Sequence, residues 1–189
     1  MKELKESVKF LESKNIYLRP FIKEDIPFLL YWYNDFETRL KRGDIAPINY
    51  LDVEKMIDRK EEDRIWFAIV RKSDDKIIGE TGLLRMFPAW GTTDLTITIP
   101  DPTCQHKGYG TEAINLLMNY TFGHLNFNRI AIGVVGFNHR ALDFYEKVGF
   151  KKEGIQEEGY YCNYQYSDFV MMRILKREFI ELHEEEILI

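Results

Sequence analysis

The segment from Asp94 to Val135 constrains the fold more than any other part of the chain. Asp94-Leu95-Thr96-Ile97-Thr98-Ile99 alternates polar and apolar residues with a period of two, the pattern of a strand with one buried face. Pro100 and Pro102 end it. From Thr111 to Leu125 the residues Ala113, Ile114, Leu116, Leu117, Met118, Tyr120 and Phe122 cover most of a helix circumference, so that helix is largely buried. Arg129 to Val135 is a short apolar strand. Strand, buried helix and strand make a βαβ crossover with parallel strands, and an α/β fold follows.

The flanking segments fit around this unit. Asn15 to Arg19 reads as a strand, and Lys23-Glu24-Asp25-Ile26-Pro27 opens a helix carrying Phe28, Leu29, Trp32 and Tyr33. A second helix is expected over Leu51 to Lys60. Trp66 to Val70 and Lys76 to Leu84 are strands joined by the polar turn Arg71 to Asp75. Asn138 caps a helix whose Ala141, Phe144, Tyr145 and Val148 share one face before Gly149 stops it. Strands around Gly159 to Cys162 and Ser167 to Leu175 close the domain. With no repeat, low-complexity tract or linker, residues 1–175 are expected to form one domain. The charged tail 176–189 is expected to be a surface helix or to dock on a second subunit.

Composition removes several function classes. With 45% apolar and 30% charged residues among 189, the chain is expected to build its core without metal or disulfide. Cys104 and Cys162 are too few for a disulfide framework and are read as thiols, Cys104 as a packed neutral one. No apolar run has the ~20 residues of a membrane span, and the charged Met1 to Phe10 segment is no signal peptide, so a cytoplasmic location is expected. A net charge of −5 argues against nucleic acid as a partner. The 4 His are scattered without ligand spacing, which argues against a metal site.

The chemistry is expected in the loop before the buried helix. Gln105-x-x-Gly108-x-Gly110 meets a helix N-terminus, where unpaired N–H groups and the positive dipole end suit an anion such as a pyrophosphate. Glycine lets the backbone approach a ligand without a Cβ in the way. No Lys-Ser/Thr pair follows, so this is no Walker loop. Gly110 leads into Thr111-Glu112-Ala113, and Arg129 stands near the offset where a dinucleotide fingerprint needs an acid.

The run Asp101-Pro102-Thr103-Cys104-Gln105-His106-Lys107-Gly108-Tyr109-Gly110-Thr111-Glu112-Ala113 resembles motif A of the GNAT acetyltransferase superfamily, Gln/Arg-x-x-Gly-x-Gly/Ala. Asn138-His139-Arg140-Ala141-Leu142-Asp143-Phe144-Tyr145-Glu146-Lys147-Val148-Gly149-Phe150 is similar to its downstream motif, in the family's order and separation. Tyr17-Leu18-Arg19-Pro20 and Glu153-Gly154 resemble the branch of ribosomal-protein amino-terminal and spermidine acetyltransferases. The likeness spans about residues 15 to 175.

The resemblance implies a mixed, strongly twisted sheet flanked by helices around a βαβ core that binds acetyl-coenzyme A. The strands Asp94 to Ile99 and Arg129 to Val135 would splay apart to admit the pantetheine arm. Backbone of Ile97, Thr98 and Ile99 would pair with its amides, and the loop of Gln105, His106, Lys107, Gly108, Tyr109, Gly110 and Thr111 would hold the pyrophosphate, through the N–H groups of Gln105, Lys107, Gly108, Tyr109 and Gly110. Two departures stand out: Pro100 lacks an N–H, and His106 replaces a frequent Gly, so its backbone is expected in a region open to ordinary residues.

The implied reaction is direct attack of a primary amine on the thioester. Tyr145 stands where the family's tyrosine faces the sulfur. Since a phenol titrates near ~10 and a thiol near ~8.5, it is read as a hydrogen-bond donor to the departing thiolate. Asn138 either binds the pantetheine arm or only caps its helix. Asp94, at a position where relatives often carry Glu, and Glu80 are the candidate bases. A protein amino terminus is placed narrowly ahead of a polyamine or aminoglycoside as acceptor, and Asp35, Glu37 and Asp44 are acids that either attract a cation or form a solvated face. A catalytically silent acyl-coenzyme-A sensor is the reading of another class, and a homodimer is compatible with the edge strands.

Overall fold

The computed structural model describes residues 8–43, 46–58 and 62–184. Asp44, the end of the helix expected to reach Lys60, and residues 185–189 of the tail lie outside them.

Eight strands form one mixed sheet: β1 (Leu11–Glu12), β2 (Ile16–Arg19), β3 (Ile65–Arg71), β4 (Lys76–Phe87), β5 (Thr92–Thr98), β6 (Arg129–Val135), β7 (Lys151–Cys162) and β8 (Gln165–Leu175). Their order is β1-β2-β3-β4-β5-β6-β8-β7, antiparallel throughout except for β5 beside β6. The helices are α1 (Ile26–Asn34), α2 (Phe36–Arg42), α3 (Tyr50–Asp58), α4 (Tyr109–Gly123), α5 (His139–Lys147) and α6 (Lys176–Leu182). Strand β7 begins at Lys151, eight residues before the expected Gly159, and α2 has no counterpart in the sequence reading.

Strand alternation divides the core between the two faces. Leu18, Phe67, Ile69, Leu83 and Leu95 point to one side, where Ala113, Ile114, Leu117, Met118 and Phe122 of α4 bury against them. The expectation of a largely buried α4 is met. On the other face Arg19, Ala68, Glu80 and Thr98 stand in one row across four strands. Near this face α1 and α3 bury Ile26, Leu29, Tyr33 and Val53 in a second cluster.

Two ion pairs tie helix starts to the sheet. Arg19 donates to both oxygens of Asp25 at 2.6 and 2.8 Å, and Asp25 also accepts from the Ile22 N–H at 3.0 Å. Both side chains are under a tenth exposed, so the pair fixes how the chain leaves β2 for α1. At the other end, Glu178 accepts from its own capping partner Leu175 N–H at 3.0 Å, from Lys151 at 2.9 Å and from Arg173. The tail helix is no surface appendage, because Phe179 is buried against Phe122.

Candidate active site

The parallel pairing of β5 with β6 covers only Thr92↔Arg129, Thr93↔Ile130 and Asp94↔Ala131. Beyond Asp94 the two strands separate. Leu95 to Thr98 keep their ladder to β4, and Ile132 to Val135 keep theirs to β8, so each presents an unpaired backbone edge to the gap between them. Unpaired edges of this kind seek amide partners.

The chain then passes into the glycine loop. Asp101 caps a single short turn by accepting from the Thr103 N–H at 2.8 Å, which sends the chain toward α4. Gly108 is the N-cap of α4 at φ 83, in the left-handed region that glycine enters without strain. A Cβ there would meet nothing within 4 Å, so the space above the loop is open. Gly110 lies one residue into α4, against α5. A Cβ on it would lie 3.4 Å from Phe144, in ordinary contact with α5 where that helix packs on the first turn of α4.

Within the described chain the N–H groups of Lys107, Gly108, Tyr109 and Gly110 donate to no other group. Four unsatisfied donors at a helix N-terminus fit a pyrophosphate. Two expectations need correction. The Gln105 N–H is not available, because it turns back to the Pro102 carbonyl at 3.2 Å. His106 has φ 58 and so lies in the left-handed region, not in one open to ordinary residues. A side chain there costs about 1–2 kcal/mol, strain held at the position where a Gly is frequent. Pro100 lies past the end of β5 and removes no donor from its ladder.

Gln105 contributes its side chain instead. Its amide donates to the Ile99 carbonyl at 2.8 Å and accepts from Arg140 at 2.8 Å, joining the end of β5 to the start of α5. Sequence reasoning missed Arg140, and the 35-residue separation carries no periodic signal that would have found it.

Helix α5 begins directly after β6. The Asn138 oxygen accepts from the Ala141 N–H at 3.2 Å, which is the cap, while its amide nitrogen has no partner within the described chain. Both roles foreseen for this residue are compatible, since they use different atoms. One turn on, Tyr145 packs against Phe144 and Phe150 and is 6% exposed. No described residue hydrogen-bonds its hydroxyl, and burial pushes the phenol above its ordinary pKa. Cys104 is buried in the core as expected, with the Arg71 guanidinium 3.5 Å from its sulfur.

The two carboxylates proposed as bases are not brought together. They share a sheet face, but Glu80 stands opposite Thr98 and Asp94 lies four residues back along β5, about 13 Å away. Asp94 is paired with Arg85, at 2.5 Å from its Nε. Glu80 is buried, and its two oxygens accept separately from Arg42 and from the Tyr33 hydroxyl. Burial, then the Glu80 charge, raises the Tyr33 pKa, so Tyr33 remains a donor. A small apolar hollow lined by Phe28, Trp32, Thr38 and Pro100 abuts Glu80 and Thr98 without exposing their oxygens. Of the acids expected to attract a cation, Asp35 caps α2 by accepting from the Thr38 N–H at 2.9 Å, and Glu37 stays exposed. Among the described residues no group of three His, Cys, Asp or Glu is arranged to hold a metal ion, and no helix is long and apolar enough to cross a membrane.

The splayed strands, the open Gly108 loop and α5 lie within the stretch, residues 15–151, that matches the model of the acetyltransferase (GNAT) domain. The chain belongs to the GNAT acetyltransferases. It is similar over 174 residues to the probable N-acetyltransferase YjcK of Bacillus subtilis, at 33% identity, covering 87% of this chain and 96% of that protein. The spermidine N(1)-acetyltransferase of Escherichia coli is 24% identical over 172 residues, 91% of this chain and 92% of that protein. Among solved structures, the spermidine N-acetyltransferase from Vibrio cholerae in complex with CoA and spermine superposes with a TM-score of 0.81 at 23% identity, covering 87% of this chain and 98% of that one. That likeness establishes the GNAT fold. As a GNAT enzyme the chain is an N-acetyltransferase that draws its acetyl group from acetyl-coenzyme A.

Proposed function

We propose that this enzyme acetylates a primary aliphatic amine of a small polyamine-type molecule by direct attack on the thioester. When bound, acetyl-coenzyme A supplies the activated acetyl group. The free N–H groups of Lys107, Gly108, Tyr109 and Gly110 would hold its pyrophosphate, with His106 and Thr111 beside them, and the Gln105 side chain would brace the loop. The unpaired edge of β5 at Ile97 and Thr98 and the amide nitrogen of Asn138 would take the pantetheine arm, while Ile99, just past the strand, has its carbonyl held by Gln105. The Tyr145 hydroxyl, which no described residue engages, would donate to the sulfur of the departing thiolate, and Asp94 or Glu80 would accept the proton from the amine.

The observation that supports the polyamine reading is the buried Glu80 carboxylate, which already holds an organic cation, the Arg42 guanidinium. The names of the Escherichia coli and Vibrio cholerae relatives support it. A protein amino terminus is the second reading. It is favoured by a 38% identity over 72 residues, 38% of this chain, to the putative ribosomal N-acetyltransferase YdaF of Bacillus subtilis.

Release of free coenzyme A is the test, measured with spermidine, a monoamine, an aminoglycoside and amino-terminal peptides. Spermidine is expected to give the highest kcat/KM, and a peptide exceeding it would transfer the assignment to the second reading. Asp94→Asn and Glu80→Gln, each assayed at pH 7 and pH 9, identify the base by a larger loss at the lower pH. Self-association is assigned to β7, an edge strand exposed from Lys151 to Gly159, and is checked by light scattering.

A further inference from the structure

Glu80, the face of Tyr33 and the Thr98 hydroxyl enclose a cation. The Arg42 guanidinium lies 4.3 Å from the centre of the Tyr33 ring, 3.3 Å from Thr98 Oγ1, and in contact with Glu80 Oε1. A carboxylate, an aromatic face and a hydroxyl are the groups that stabilise an organic cation out of water. The second Glu80 oxygen is held by Tyr33, which orients the carboxylate and leaves the first oxygen for the cation.

We propose that these three groups form a receptor for an organic cation, an alkylammonium or guanidinium group, and that Arg42 occupies it until such a ligand takes its place. A carboxylate with 3% of its side chain exposed strongly resists losing its counter-charge, whereas exchanging one cation for another leaves the charge balance intact. Arg42 is placed for exchange. It is the last residue of α2, Gly43 follows in the left-handed cap, and the Arg42 side chain is 17% exposed against 7% for Arg19 in the closed pair with Asp25. Withdrawing the Arg42 head to solvent requires rotation of a long side chain and no unfolding. A ligand reaches Glu80 and Thr98 by the way the Arg42 head leaves, since the small apolar hollow beside Phe28, Trp32 and Pro100 exposes neither oxygen. Glu80 can then accept a proton from an amine only after Arg42 has left, so the acceptor itself opens the site. The inference rests on the polyamine reading for the biological identity of the cation alone.

The test uses the full chain without acetyl-coenzyme A, so its failure is separate from any failure of acetyl transfer. Thermal midpoints of wild type, Arg42→Ala and the double variant Arg42→Gln with Glu80→Gln are measured in ethylammonium or methylguanidinium chloride, against sodium chloride at equal ionic strength. Arg42→Ala is expected to melt lower by on the order of 10 °C in sodium chloride. Each organic cation should restore at least half of that loss along a saturating curve, with a smaller shift in wild type and none specific to the organic cation in the double variant. If Arg42→Ala is unfolded in sodium chloride, recovery of folded protein on adding either organic cation is the same readout. No recovery, or equal shifts in all three proteins, overturns the proposal.

Discussion

Tyr145 has a buried ring, a hydroxyl without a partner among the described residues and a pKa raised by burial. The raised value widens the gap to a thiol of ordinary pKa, so full proton transfer to the thiolate is more uphill than the free groups would make it. Tyr145→Phe removes one hydrogen bond to developing charge and is expected to lower kcat about 100-fold with KM for acetyl-coenzyme A nearly unchanged. Because the phenol stays protonated through the assay range, wild type should show no decline in rate between pH 8 and pH 10 that the Phe variant lacks. Steady-state kinetics across that range is the check; an alkaline limb present only in wild type would mean that Tyr145 ionises during turnover. Tyr145, Gly108 and Asn138 were legible because each lies in a short contiguous motif. The partners of Glu80 were not, since Arg42 lies 38 residues away and contact between charged residues far apart leaves no periodic trace.

Elements were legible in proportion to how much of their apolar surface is buried. Strand β6 was read to the residue because its apolar run ends sharply, whereas β7 is exposed along nearly its whole length and so shows no alternation of apolar and polar residues. Helix α2, Phe-Glu-Thr-Arg-Leu-Lys-Arg, is short and charged and is held by the Asp35 cap more than by a buried stripe. The junctions between elements carry concentrated stability. Asp25→Ala leaves Arg19 buried without its carboxylate and is expected to destabilise the fold by about 3–5 kcal/mol, seen in urea unfolding, while Asp25→Glu loses less. At α6, burial raises the Glu178 pKa, but Lys151, the Leu175 N–H and Arg173 outweigh it and hold the carboxyl down at about 2. A depressed carboxyl pKa contributes stability above its unfolded value and loses it as pH falls toward the folded one. Glu178→Gln should therefore be less stable than wild type at pH 7, and the difference should shrink as pH falls from about 4.3 toward 2. A gap that persists undiminished at pH 2 would assign the effect to packing of α6.

Across the whole molecule the fold is a sheet left unfinished in its middle. Every strand from β2 to β6 and β8 has neighbours on both sides, yet the parallel pair at the centre closes for only three residues. The βαβ unit was evident from sequence; the splay was implied only by resemblance, since two strands that diverge have the same residue pattern as two that stay paired. An open central edge has a thermodynamic consequence. A ligand that bridges it binds the folded state alone, and coenzyme A at about 100 times its Kd adds about 2.7 kcal/mol to stability. For a chain of this size that is a rise in thermal midpoint of roughly 5–11 °C. The gain should also be local: amide hydrogen exchange should slow at residues 95–98 of β5 and 107–110 of the loop, whose edge or donors are unpaired without ligand. Strand β7 and the Arg19–Asp25 junction lie outside the gap and should exchange at the same rate with and without coenzyme A. Slowing spread evenly over all strands would instead mean that the ligand stabilises the sheet globally, with the splay contributing no special share.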